Sequence, residues 1–395
     1  MIKLVKYQEQ IKNSDLMDYD SKRPIGEKMD VSFLNLTIQD EEIKPKINEV
    51  ITETIDSGYY ILGPQTEKFE KAFAKFNEVK HCVAVGSGTD ALYLIMKAIG
   101  IKPGDEVITV PNTAVPTANA IWMAGAKPVF VDVDKYFLLN LELLPQYIND
   151  KTKAILPVHL YGNCVNIPKL QSIAKDIPII EDTAQAAGAK LLGKFAGTMG
   201  LAGAFSFYPT KNLGGYGDGG AILTNSDSLA KKIRMLRNHG QTKKYYHKYL
   251  AGNSRMSELQ AAILNIKLEK LEEWNNERRR LAVLYDYNLR KESHVVLPES
   301  SPHCEHSYHL YIMKSSDRDN LIDFLTEQGV GTMIHYPVPI HLQEAFSYLG
   351  HKQGDFPKAE KYSAQILSLP MYPGLKRQKV DYVCDCIKRY NSVFY

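Results

Sequence analysis

Cysteine is scarce in this chain. Five thiols (Cys82, Cys164, Cys304, Cys384 and Cys386) are scattered through 395 residues, and no two form a Cys-x-x-Cys pair. An odd, dispersed set excludes a disulfide framework and points to a reducing compartment, so the cytoplasm is the expected location. An excess of one charge sign is also missing. Lys and Arg number 48 against 45 Asp and Glu. Nucleic-acid binders concentrate positive charge on one face, whereas the basic runs here (Lys243 with Lys244, and Arg278, Arg279 and Arg280) are short and read as solvated helix faces. No nucleic-acid partner is expected. No apolar run reaches the ~20 residues of a membrane span, so no membrane partner is expected either. Residues 1–30 are polar and mixed in charge, lack the apolar centre of a signal peptide, and read as a weakly ordered N-terminal extension. There is no internal repeat and no low-complexity segment. What remains is the composition of an ordinary globular protein, 44% hydrophobic and 24% charged, in a chain long enough for a large domain and a smaller one.

Periodicity predicts helices over residues 41–57, with Ile43, Ile47, Val50, Ile51 and Ile55 on one face, and over 66–76, with Thr66 as N-cap. His81 to Val85 is strand-like, Gly86-Ser87-Gly88 is a turn, and 89–99 is helical until Gly100. A strand, a glycine turn and a helix start make an anion site, because backbone N–H groups and the helix dipole point outward there. Gly86-x-Gly88-x-x-Ala91 also fits the dinucleotide fingerprint. That fingerprint wants an acid about 20 residues on, at the end of the next strand, whereas Asp105 and Glu106 open a strand. A phosphate monoester and a plain turn both stay open.

Strands at 107–110, 128–133, 154–158, 178–180 and 204–207 alternate with helices at 116–123, 141–148 and 168–175. That alternation predicts an α/β protein with a largely parallel sheet. Such sheets bind ligands at the carboxyl ends of their strands. Residues 86–89, 159–163, 181–185 and 208–211 all follow a predicted strand and converge on one crevice. Beyond residue 223 the pattern changes to a helix at 226–238, a long charged helical run at 255–290, a strand at 306–314, a helix at 317–328 and a C-terminal helix from about 378. The expected division is an extension (1–30), a large α/β domain (31–250) and a small α+β domain (251–395).

The stretch from Ala204 to Gly220 holds one lysine, Lys211, with five glycines within the next nine residues and apolar runs on both flanks. Such a backbone makes turns that glycine accepts cheaply. A lysine buried there would lose its preference for charge and become a nucleophilic amine, as a Schiff base requires. The alternative is a glycine-rich hairpin with an exposed lysine. Asp182 follows an apolar run at 177–180. A buried carboxylate is costly without a cationic partner, which a pyridinium would supply; the alternative is a cap on the next segment. Lysine, aspartate and an anion-binding helix start together suggest pyridoxal phosphate.

A set of short stretches carries a more specific signal. They are Gly86-Ser-Gly-Thr-Asp-Ala91, Pro128-Val-Phe-Val-Asp-Val-Asp134, Pro157-Val-His-Leu-Tyr-Gly162, Glu181-Asp-Thr-Ala-Gln-Ala186, Phe205-Ser-Phe-Tyr-Pro-Thr-Lys211, Gly217-Asp-Gly-Gly220, Arg237-Asn-His-Gly240, Asn253-Ser-Arg-Met-Ser-Glu-Leu-Gln-Ala-Ala262 and His335-Tyr-Pro337. In this order the chain resembles the DegT/DnrJ/StrS family of pyridoxal-phosphate-dependent sugar aminotransferases. The resemblance implies fold type I: a large domain with a mostly parallel mixed sheet flanked by helices, and a smaller C-terminal α+β domain. It implies that Lys211 is the Schiff-base lysine and proton shuttle, and that Asp182 is the pyridinium partner. Gln185 would stand beside the ring, and Gly88, Thr89 and Ser206 would hold the phosphate. Asn253 would reach the phosphate across a homodimer interface. His159, Tyr161, His335 and Tyr336 are candidates for the substrate side.

Two departures stand out. Ala114, in the stretch 111–117, takes the place of an aromatic that stacks on the ring in many relatives. Ala251-Gly252 precedes Asn253 where relatives commonly have Gly-Tyr. The function expected from the resemblance is amino transfer from an amino acid, glutamate first among them, to a keto-deoxysugar carried on a nucleotide. A cyclitol aminotransferase, a sugar dehydratase and a non-catalytic regulatory protein are the alternatives; relatives that dehydrate have histidine in place of the lysine. No metal is expected. His303-Cys304-Glu305-His306 with His309 has inviting spacing but no helix to present it, and Cys384 and Cys386 diverge around one.

Overall fold

The computed structural model describes residues 28–394. The reading of residues 1–30 as an extension therefore lies almost wholly outside the described residues. Seven short strands make the central layer: β1 (His81–Val85), β2 (Glu106–Thr109), β3 (Lys127–Phe130), β4 (Thr152–Ile155), β5 (Ile180–Asp182), β6 (Ala202–Ser206) and β7 (Gly220–Thr224). Parallel bridges from Ile155 to Ile179 and from Val158 to Asp182 join two groups into one sheet of order β3-β2-β4-β5-β6-β7-β1. Only β7 runs antiparallel to its neighbours. The strands are short runs of Val, Ile and Ala, buried almost throughout, as expected of a sheet covered on both faces.

The helix Gly88–Ile99 covers one face with Ala91, Leu92, Leu94, Ile95 and Met96. Ser87 caps it by accepting the Asp90 N–H, and Gly100 ends it in the left-handed region at φ 91°. The helix Pro64–Phe76 begins two residues before the expected start, and Thr66 is not its cap. Its Ncap, Gly63, has no side chain to offer. The free N–H groups of Gly63, Gln65 and Thr66 instead donate to the Glu258 carboxylate at 2.9, 2.7 and 3.0 Å, from 195 residues away in the case of Gly63. The Thr66 hydroxyl donates to it as well. This long-range cap meets the requirement that a helix start leaves on its first N–H groups.

The charged run expected as one helix is two, Glu258–Leu268 and Leu271–Leu289. No Pro or Gly marks the break. Leu268 and Leu271 both pack with Phe69 and Phe73, after which Trp274 turns to Ile43, Ile47 and Ile263. Residues 141–148 form only the short 3₁₀ turn Leu144–Tyr147. The strand expected at 306–314 is Tyr311–Ser315, because the residues before it are bonded to the lysine loop and not to a neighbouring strand. A second apolar cluster gathers Val31, Leu281, Tyr285, Tyr311, Leu367, Val383 and Ile387 around the antiparallel strands Tyr311–Ser315 and Ile366–Leu369.

Candidate active site

The carboxyl ends of β1, β5 and β6 bring three groups to one crevice. The lysine arrives on the loop between β6 and β7, whose register pairs Ser206 with Gly220. The loop is tightly turned. The Lys211 N–H donates to the Tyr208 carbonyl at 2.8 Å, and a β-carbon on Gly214 would fall 2.2 Å from the Pro209 carbonyl oxygen. Its far side is tied down by Asn212, which donates to Asn275 Oδ1 at 2.7 Å and to the Ser307 carbonyl at 2.9 Å. Asn275 in turn donates to the Ala187 carbonyl.

Lys211 Nζ makes no hydrogen bond or ion pair within the described residues. Its surface is partly open while protein encloses its amine. That burial lowers its pKa from 10.5 to about 8, against the opposing pull of Asp182. Asp182 is 4% exposed. Its Oδ2 accepts the Thr117 hydroxyl at 2.8 Å and its Oδ1 accepts the Ala184 N–H at 3.1 Å. Burial raises the pKa of its carboxyl, while those two bonds and the charges of Lys211 and His159 act in the other direction.

The glycine turn before the helix Gly88–Ile99 is closely fitted. A β-carbon on Gly88 would lie 2.7 Å from Ser206 Cβ, and one on Gly220 would lie 2.3 Å from the Ser87 carbonyl. The Gly86 N–H donates to Ser254 Oγ at 3.0 Å. The Ser87 hydroxyl is spent on the cap. The first-turn N–H groups, those of Gly88 and Thr89 among them, have no intrahelical acceptor, and Gly88 itself lies against Ser206.

Gln185 links the crevice to the segment 335–342. Its Oε1 accepts the Tyr161 N–H at 2.7 Å, so its amide nitrogen is the end that donates to the Tyr336 hydroxyl at 3.0 Å. Tyr161 is held at φ 61°, and its hydroxyl donates to the His335 carbonyl. Burial pushes the Tyr336 phenol up to about 12. It therefore keeps its proton, and since it accepts from Gln185 that proton remains free to donate. His335 is lowered to about 4 by burial and by the Lys211 charge, and it bonds Ser368 Oγ through Nδ1 at 2.8 Å.

The structure does not bring His159 to the crevice surface. It is fully buried; its Nδ1 accepts the Val165 N–H at 3.1 Å, so its Nε2 is the donor to Glu181 at 2.8 Å. Glu181 also accepts from the N–H groups of Gly197, Met199 and Gly200. Asn253 is exposed, bridged through its backbone to Asn238, and its side chain has no partner within the described residues. Ala114 is the Ncap of the helix Val115–Met123, three residues before Thr117, and its methyl side chain offers neither a cap nor an aromatic face.

Sequence reasoning passed over Thr117, Asn212, Asn275 and Glu181. A threonine inside a helix and three polar residues within ordinary segments give no local signal; only the fold shows what they touch. The histidines at 306 and 309 have partners of other kinds. His306 accepts the Tyr308 N–H and stacks on that ring, and His309 bonds Asn212. Among the described residues no group of three or more His, Cys, Asp or Glu could hold a metal ion.

An unpartnered amine of lowered pKa, a buried carboxylate with no ion pair of its own, and a glycine-lined helix start beside a serine fit pyridoxal phosphate. Over 371 residues the chain is 45% identical to a protein of Geobacillus stearothermophilus named pleiotropic regulatory protein, covering 93% of this chain and 100% of that one. It is 40% identical to a dTDP-3-amino-3,4,6-trideoxy-alpha-D-glucose transaminase of Streptomyces venezuelae, over 91% of this chain and 96% of that one. The crystal structure of S. venezuelae DesV in complex with a ketimine intermediate superposes with a TM-score of 0.90 at 40% identity, covering 91% of this chain and 98% of that one. Residues 41–388 match the pattern of one family throughout, and the chain belongs to it: the DegT/DnrJ/EryC1/StrS aminotransferase family.

Proposed function

We propose that this protein is a pyridoxal-phosphate-dependent aminotransferase. It moves an amino group from an amino acid, glutamate being the expected donor, to a keto-deoxysugar linked to a nucleotide, and the product is an amino-deoxysugar nucleotide. One observation carries the reading. Lys211 presents an amine with no protein partner and a pKa near 8, in the same crevice as the buried Asp182.

Each residue's part follows from its surroundings. When bound, the cofactor supplies an electron sink for charge that develops on the substrate carbon. Lys211 would hold the cofactor through its amine. With a pKa of about 8 it has both amine and ammonium within reach at mildly alkaline pH, and it is suited to hold or release a proton at that carbon. Asp182 would face the ring nitrogen and keep it protonated. The N–H groups of Gly88 and Thr89 and the Ser206 hydroxyl would hold the phosphate. Gln185 would stand beside the ring and set the angle of Tyr336, whose free O–H proton points to a role in holding the sugar. Tyr161 and His335 form the same wall. His159 is reassigned from substrate contact to support of the strand that carries Asp182, through Glu181.

Asn253 would reach the phosphate of a partner in a homodimer with shared sites. Its exposure and its free side chain support that, as do the exposed Tyr245, Tyr246 and Leu250 just before it. A division into a large and a small domain is supported by the separate apolar cluster around Tyr311, but Met256 to Leu271 pack with Phe69 and Phe205 of the large domain, which favours a boundary later than residue 250. A cytoplasmic location is supported by the scarce, unpaired cysteines; among the described residues no helix is long and apolar enough to cross a membrane.

The test is direct. Purified protein with pyridoxal phosphate and glutamate is mixed in turn with dTDP- and UDP-linked keto-sugars, and 2-oxoglutarate is measured. Release of 2-oxoglutarate beyond one equivalent per active site that requires a keto-sugar and is lost in Lys211→Ala is expected. Release with a cyclitol ketone in place of every sugar nucleotide, or equal release in the variant, would overturn the reading.

A further inference from the structure

The segment before the helix Val115–Met123 holds two buried threonines, Thr113 and Thr117, 3% and 2% exposed. Their hydroxyl oxygens are 3.0 Å apart, and the Thr117 hydroxyl donates to Asp182 Oδ2 at 2.8 Å. A proton count fixes the direction of this chain of bonds. A hydroxyl carries one proton, and an ionised carboxylate only accepts. The Thr117 proton is spent on Asp182, so Thr113 is the donor to Thr117. The relay runs from Thr113 to Thr117 to Asp182, and bonds of this kind polarise one another in a dry interior.

The outer end of the relay is fixed. The Pro111 carbonyl accepts the Ile340 N–H at 2.8 Å, and Asn112 donates to the Phe137 carbonyl at 3.0 Å. The inner end fixes the carboxylate. With Thr117 on one oxygen and the Ala184 N–H on the other, each Asp182 oxygen has a donor. Donors to a carboxylate favour its charged form, which burial penalises.

We propose that Thr117, backed by Thr113, is a positioning residue for the Asp182 carboxylate, and so sets how strongly this protein holds a cofactor with a protonated pyridine ring. The inference rests on the reading that Asp182 meets the ring nitrogen. It makes Thr117 matter for a ligand that has that nitrogen and not for one that lacks it.

Dissociation constants for pyridoxal phosphate and for its analogue with carbon in place of the ring nitrogen test this in the full chain. Wild type binds pyridoxal phosphate more tightly than the analogue. Thr117→Val weakens pyridoxal phosphate about tenfold, the worth of one hydrogen bond to a charged group, and leaves the analogue within about twofold. Thr117→Ser keeps the hydroxyl and restores pyridoxal phosphate to within about twofold. Thr113→Val removes the outer donor and weakens pyridoxal phosphate about threefold, again without effect on the analogue. Equal losses for both ligands in Thr117→Val, or a loss in Thr117→Ser as large as that in Thr117→Val, would show mere packing and overturn the proposal. Should Thr117→Val fail to fold, Thr113→Val makes the same comparison. A wild type that does not distinguish the two ligands would instead remove the reading of Asp182.

Discussion

Glu258→Ala is expected to cost the protein about 2–5 kcal/mol. The carboxylate accepts from three backbone N–H groups at the start of the helix Pro64–Phe76 and from the Thr66 hydroxyl. Gly63 and Thr66 are buried, so their N–H groups are left without an acceptor, at ~1–3 kcal/mol each. Gln65 is half-buried, and its N–H can turn to water at little cost. Glu258→Gln can keep its amide oxygen on the Oε1 side, where Gly63 and Thr66 donate, and turns its amide nitrogen only toward the Gln65 N–H, so it recovers more than half of the loss. Urea unfolding of the cofactor-loaded protein, followed by Trp274 fluorescence, measures this. Trp274 is buried where the helices Lys44–Ser57 and Glu258–Leu268 meet, while the other tryptophan, Trp122, is largely exposed. The site should feel the change as well. Phe69 and Phe73 of the capped helix pack edge-on against Phe205 and Phe207, the neighbours of Ser206, so pyridoxal phosphate binding weakens in the same variants. A loss below about 0.5 kcal/mol in Glu258→Ala would refute the reasoning, because buried N–H groups cannot lose their acceptor without cost.

Other outcomes follow from the site. Attachment of pyridoxal phosphate to Lys211 needs the neutral amine. Borohydride-trapped incorporation should therefore rise with pH, pass its midpoint near the amine pKa of about 8, and level off above it. Asp182 is the charge that raises this pKa, so Asp182→Asn should move the midpoint below 8; an unchanged midpoint or an upward shift would count against the assigned proximity. Gly88→Ala places a methyl group against Ser206 and should weaken pyridoxal phosphate binding at least about tenfold by titration, while Gly100→Ala, with open space around it but φ 91°, should lower the melting temperature without changing that affinity. His159→Phe leaves Glu181 short of one donor in a dry interior and should destabilise by roughly 1–3 kcal/mol in denaturant melts; a fully stable variant with only a raised KM for the sugar would return His159 to the substrate side.

The parts of this molecule legible in its sequence are those with a short-range cause. The strand at His81–Val85, the glycine turn and the helix after it are local patterns, as is the lysine in its glycine-rich loop, and all stand where the periodicity puts them. What could not be read depends on partners far along the chain. Thr66 looks like an N-cap because nothing nearby announces Glu258. The break between Leu268 and Leu271 has no breaker residue to mark it, and the leucines on its two sides share one apolar cluster with Phe69 and Phe73. His159 has the residue type of a substrate contact, and only its two neighbours, the Val165 N–H and Glu181, show that both its nitrogens are in use. Thr117 was hidden for the opposite reason: its neighbour Ala114 drew attention as a departure, while an ordinary threonine three residues on holds the carboxylate.

The order of the sheet has a consequence for synthesis. β1 is the first strand to leave the ribosome, yet its partner in the finished sheet is β7, with His81 opposite Thr224 and Val85 opposite Gly220. At 5–20 residues per second, β1 waits on the order of ten seconds for that partner to be made. The turn that follows β1 waits longer, because Ser254 accepts from Gly86. The nascent chain therefore carries an unpaired apolar strand through roughly a third of its translation. The glycine turn gains its Ser254 acceptor only in chains whose synthesis has passed residue 254, so a chain stalled earlier has that turn without its partner.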